Sequence, residues 1–189
     1  MRTLRKTRRS ADFTPPPRDV SESSLAATLA APRQRAPIFA SALAADMPAS
    51  ANALIDTGAI LALLDRTDRW HGACVDAFHQ LRLPLLTSEA VLTEVFHLVG
   101  DKRSEMEAAW KFVRSGALVL GTIEDVELAH LHGLMSRYCD CPMDFADATL
   151  VYLAKRESLS VILTVDQSDF ATYRIEGKRQ FRVLPRKRP

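Results

Sequence analysis

The chain has 189 residues, 47% hydrophobic and 25% charged, which suits one globular domain with flanking material and a core that needs no staples. Cys74, Cys139 and Cys141 cannot all pair within the chain and read as reduced thiols of a cytoplasmic protein, and no apolar run approaches the roughly 18–20 residues of a membrane span. The net charge of +2 hides a segregation: residues 1–50 carry eight Arg and Lys against four acids, and the tail from Gly177 carries six and no acid, leaving eleven basic against nineteen acidic residues between. Metal-binding carboxylates with phosphate-binding arms would produce that pattern. A solvated acidic surface with basic disordered ends fits the charge equally well.

Taken in chain order, residues 1–50 hold six of the ten prolines with many Ala, Ser and Arg, and are expected to be a disordered basic extension. Met47 lies just ahead of the first strand, so residues 1–46 also fit an upstream extension from a misassigned start. Ala53-Leu54-Ile55 reads as a buried strand stopping at Asp56, Thr57 and Gly58. Helical patterns follow over Ala59–Leu64 and about Arg69–Leu81. A second strand, Leu83–Leu86, leads through Thr87 and Ser88 into a helix stopping near Gly100. Ser104 and Glu107 have the spacing of a capping box for the next helix, which ends before Gly116. A third strand spans Ala117–Leu120, Thr122 and Asp125 open another helix, and Asp144 opens the helix through Ala154. Ser160–Val165 is a fourth strand and Phe181–Leu184 a weaker fifth. Strands separated by helices of about ten residues predict a three-layer α/β/α sandwich with a central parallel sheet over residues 51–184, followed by a basic tail at 185–189.

The placement of the acids carries the chemistry. Asp56 and Asp166 each follow an apolar strand, and in an open parallel sheet ligands bind beyond the carboxyl ends of the strands, where strand order reverses. Glu94 lies on the helix after the second strand among Ala90, Val91, His97 and Leu98, so its carboxylate is expected to face protein, at a cost without a compensating cation. Asp144 is a good N-cap and Asp147 suits the helix dipole, so taken alone both fit capping better than catalysis. Four converging carboxylates repel by roughly 4 kcal/mol per pair at about 4 Å and an effective dielectric near 20. A hard divalent cation relieves this, binds through oxygen and supports phosphodiester hydrolysis.

These segments resemble the PIN-domain nucleases. Leu54-Ile55-Asp56-Thr57-Gly58-Ala59 through Asp65, Asp68 and His71 is similar to their opening, and Thr87-Ser88-Glu89 to Glu94 to their second motif. Met143-Asp144-Phe145-Ala146-Asp147-Ala148 is similar to the third, and Leu163-Thr164-Val165-Asp166-Gln167-Ser168-Asp169-Phe170 to the last. The resemblance is strongest to the VapC-like ribonuclease toxins of toxin–antitoxin pairs. It implies that Asp56, Glu94, Asp147 and Asp166 bind Mg²⁺ or Mn²⁺ and carry catalysis. It implies further that Thr164 and Thr57 position them, and that Asp144 and Asp169 support them. It also implies an RNA substrate, a small cognate antitoxin and a homodimer. A PIN nuclease of RNA processing, or a non-catalytic RNA- or protein-binding module on the same fold, is the alternative.

Other features point elsewhere. His130 and His132, two apart on a helix, point about 200° away from each other, which disfavours a zinc site with Cys139 and Cys141. An aspartyl-phosphate phosphotransferase would want a second aspartate two residues after its nucleophile, and Gly58 stands there. Trp70, Trp110 and Phe112 read as core or subunit-contact residues, and an exposed aromatic platform for single-stranded nucleic acid is not evident.

Overall fold

A computed structural model describes residues 51–141 and 143–186. The expectations for residues 1–50 and for the last three residues lie outside them. Strand β1 (Leu54–Ile55) is followed by α1 (Thr57–Leu64) and α2 (His71–His79), and β2 (Leu85–Ser88) by α3 (Glu89–Val99) and α4 (Arg103–Val113). After β3 (Leu118–Gly121), a single 3₁₀ turn (Asp125–Glu127) leads into α5 (Leu128–Arg137) and α6 (Phe145–Arg156). The chain then runs through β4 (Val161–Leu163), α7 (Gln167–Thr172), β5 (Arg174–Glu176), β6 (Arg179–Gln180) and β7 (Arg182–Leu184).

Five strands form a parallel sheet in the order β3-β2-β1-β4-β7, with helices on either side. The chain moves outward from β1 to β2 and β3, then returns across to β4 on the other flank of β1. That reversal makes the carboxyl ends of β1 and β4 the topological switch point. In register, Leu54 pairs with Leu86 and Ile162, and Ile55 with Leu163. Leu54, Ile55, Leu85, Ile162 and Leu163 are fully buried, as expected for strands covered on both faces. Each such side chain contributes about 1.5–3 kcal/mol of apolar burial.

Helix α6 is the most enclosed element, burying Ala146, Ala148, Thr149, Leu150, Val151, Leu153 and Ala154. Its approach to the sheet needs Gly121 at the end of β3, where a Cβ would stand 2.7 Å from Leu153 Cδ2. Two expectations need correction. Ser104 and Glu107 do not form a capping box: α4 starts two residues earlier with Lys102 at the cap position, and the Lys102 ammonium bonds Glu105 at 2.8 Å. Position 104 therefore lies inside the helix. The antiparallel hairpin β5–β6 was not anticipated, because four of its five residues are polar and mostly exposed, and the buried Ile175 alone makes no apolar alternation.

Candidate active site

Asp56 sits at the junction of β1 and α1, 4% exposed. Its backbone is extended (φ −103°, ψ 164°) and one carboxylate oxygen caps α1, accepting from the Thr57 N–H at 2.6 Å. The other accepts from the Thr164 hydroxyl at 2.8 Å, beyond the end of β4. The same Thr164 oxygen accepts the Asp166 N–H at 3.0 Å, so one buried hydroxyl sets both strand-end aspartates. Close approach of these loops depends on Gly58: a Cβ there would overlap Val165 Cγ2 and stand 3.8 Å from an Asp166 carboxylate oxygen.

Glu94 joins this group through Thr57. The Thr57 hydroxyl donates to Glu94 Oε2 at 2.8 Å, so α1 and α3 meet at the carboxylate. Helix α3 is placed for this by Ser88, the last residue of β2. Its hydroxyl caps the helix at Val91 N and pairs with the Thr149 hydroxyl of α6 at 2.7 Å.

The third pair comes from α6. Asp144 is its N-cap, accepting the Asp147 N–H at 2.8 Å. The capping role expected of it is therefore real. Asp147, half-buried, instead receives the Tyr173 hydroxyl on Oδ2 at 3.0 Å. Tyr173 follows α7 and is fully buried, its ring edge-on to Phe170 and Tyr138 at 5.4 and 5.1 Å. Sequence reading missed Tyr173. Its only signal was a spacing of seven residues from Asp166.

Electrostatics show which acids share one pocket. Burial, with Asp166 and Asp144 adding to it, pushes Asp56 up to about 6 against the pull of its two hydrogen bonds. Burial, then Asp144, Asp56 and Asp166, pushes Asp147 up to about 8. Asp166 is raised by burial and by Asp169 and Asp144. Asp56 and Asp147 are thus raised in part by Asp144 and Asp166, and Asp166 by Asp169 and Asp144. Among the described residues, none of them and not Glu94 forms an ion pair with a basic side chain.

Among the described residues no three His, Cys, Asp or Glu side chains already stand as an ion's ligand shell. Asp56, Glu94 and Asp147 each accept from a hydroxyl or amide donor. The donors are carboxylate and hydroxyl oxygens, the hard set that suits Mg²⁺ or Mn²⁺ rather than zinc. His130 lies beside Tyr152, 5.6 Å between ring centroids, while His132 meets Ser136 at 3.5 Å.

Beside the acids runs a groove of about 460 Å³ lined by Glu94, Thr93, Ile123, Leu128, Phe145 and Thr149, among others. Phe145, directly after the Asp144 cap, is 48% exposed on its rim. This corrects the expectation that no exposed aromatic platform exists. Trp70 is in the core, whereas Trp110 is half-exposed against Phe96, ring centroids 4.6 Å apart. Asp65, Asp68 and His71 form the expected polar loop: Asp65 accepts from Thr67, Asp68 from Trp70 N, and His71 Nδ1 meets Ala62 O at 2.8 Å.

The PIN domain family model matches residues 53–175. Ribonuclease VapC26 of Mycobacterium tuberculosis is 30% identical over 135 residues, covering 70% of this chain and 99% of that protein. Among solved structures, the sarcin–ricin loop cleaving toxin VapC20 of Mycobacterium tuberculosis overlays with a TM-score of 0.56 at 18% identity, covering 62% of this chain and 92% of that one.

Proposed function

Because this chain belongs to the PIN domain family, we propose that it is an endoribonuclease that hydrolyses RNA phosphodiester bonds with Mg²⁺ or Mn²⁺, acting as the toxin of a toxin–antitoxin pair. The observation that carries this reading is the gathering of Asp56, Asp144, Asp147 and Asp166 at the switch point with no paired cation among the described residues. The full-length likeness to a ribonuclease supports RNA as substrate.

Asp56, Glu94, Asp147 and Asp166 are the residues that would hold the ion. A bound divalent cation there supplies positive charge that eases deprotonation of water and offsets the charge developing on the phosphate. The chain's own residues do the rest. Thr164 and the Thr57 amide fix the plane of the Asp56 carboxylate, and the Thr57 hydroxyl orients Glu94. Asp144 anchors the backbone of Asp147 at the first turn of α6. Asp169, next to Asp166, adds to the negative field that draws a cation to the cleft. Phe145 offers a face on which an unpaired base beside the scissile phosphate stacks, and the groove continues past Glu94.

A small antitoxin that blocks the acidic cleft and a second copy of the chain are the proposed protein partners. Among the described residues no helix is long and apolar enough to cross a membrane, and the proposed place of action is the cytoplasm. The test is incubation with single-stranded and stem-loop RNA in Mg²⁺, Mn²⁺ or EDTA. Cleavage should need the cation and be lost in Asp56→Asn. RNA binding without cleavage in either metal would reject the nuclease.

A further inference from the structure

We infer that Tyr173 is a positioning residue for the metal-binding acids: its buried hydroxyl holds Asp147 Oδ2 and so fixes the orientation of that carboxylate. The inference rests on the nuclease reading above and goes beyond it, since nothing in the four acidic motifs includes this side chain.

Three observations carry it. The Tyr173 ring is fully enclosed, wedged edge-on between Phe170 and Tyr138, so its hydroxyl is delivered to one place and is not a freely rotating surface group. The hydroxyl meets a carboxylate at 3.0 Å, and that carboxylate is half-buried and beside Asp56, Asp144 and Asp166. Helix α7 links the two acids mechanically. It begins directly after Asp166 and ends directly before Tyr173, with Phe170 buried against the Tyr173 ring.

Asp147 is thereby held at two points from two elements. Asp144 holds its amide within α6, and Tyr173 holds its side chain from beyond α7. Partners of this kind outside the ligand set tune affinity and activity as a group. Tyr138 serves as an internal comparison. It lies in the same aromatic cluster, yet its hydroxyl accepts the Arg174 N–H at 2.9 Å and touches no acid.

The experiment compares Tyr173→Phe, Tyr138→Phe and Asp147→Asn with the wild type. Mn²⁺ affinity is measured by calorimetry without RNA, alongside kcat and KM on a short single-stranded RNA and the melting temperature in EDTA. Tyr173→Phe keeps the ring, so it should melt within a few degrees of the wild type. It should bind Mn²⁺ about tenfold more weakly and lose kcat by a similar factor at unchanged KM. Tyr138→Phe should leave Mn²⁺ affinity unchanged. Wild-type Mn²⁺ affinity and kcat in Tyr173→Phe would overturn the inference while the nuclease reading stood. If the wild type and Asp147→Asn bound Mn²⁺ equally, the metal site itself would be wrong and the inference would fall with it.

Discussion

The Thr164 hydroxyl donates to Asp56 across 108 residues of chain, 2.8 Å from the carboxylate oxygen and wholly enclosed by the sheet. Thr164→Val keeps the shape and removes the donor, leaving a buried carboxylate one partner short. A stability loss of about 1–3 kcal/mol is expected from urea unfolding at pH 7. Cleavage should fall as well, because the Thr57 N–H is then left alone to orient the Asp56 carboxylate. An unchanged midpoint and unchanged rate would show that the bond carries nothing.

Asp56 and Asp147 both sit above the usual carboxylate value of 3.8, at about 6 and about 8, burial being the first cause for each. The folded state therefore binds these protons more tightly than the unfolded chain. Their stabilising contribution is complete below about pH 4 and is lost as pH rises through about 6 and then about 8. In EDTA the melting temperature should decline across that window once other groups are accounted for by an Asp56→Asn, Asp147→Asn double variant. Mn²⁺ should raise it more at pH 8 than at pH 5. A Mn²⁺ increment independent of pH would count against these two acids as ligands.

Gly58→Ala places a methyl group on Val165 in the loop beside Asp166. A destabilisation of about 1–3 kcal/mol is expected. Gly72, where an added Cβ meets nothing within 4 Å, should tolerate alanine and provides the control in the same melting assay.

Phe145→Ala should weaken binding of a short single-stranded RNA in EDTA roughly 5- to 150-fold, in line with about 1–3 kcal/mol per stacked base. Phe145→Trp should restore it. Fluorescence anisotropy reads both. Because the ring is half-exposed, the melting temperature should move little, and equal affinity in wild type and alanine variant would remove the base platform.

The sheet was legible because apolar strands ending in acids recur along the chain, and the switch-point rule then placed Asp56 and Asp166 together without knowledge of a single contact. Glu94 was legible only as a charge on an apolar helix face. Its partner Thr57 needed the fold, since the bond spans α1 and α3. Tyr173 left almost no trace, as a buried tyrosine in sequence looks like any other core aromatic. Ser104 misled because a capping pattern is permissive: the helix begins two residues earlier, with Lys102 at its cap position. Phe145 entered the sequence reading only as part of a motif, and its exposure needed the fold: α6 buries its other faces and leaves this one outward.

The return of β4 across β1 also has a consequence in time. A chain in synthesis carries Asp56, Glu94 and Asp147 well before Thr164, Asp166 and the β7 strand whose Leu184 carbonyl accepts the Thr164 N–H. A truncation before Ser160 lacks the strand beside β1 and should leave RNA intact in any metal. Nascent copies would then be harmless to the messages that encode them until β4 and β7 have joined the sheet.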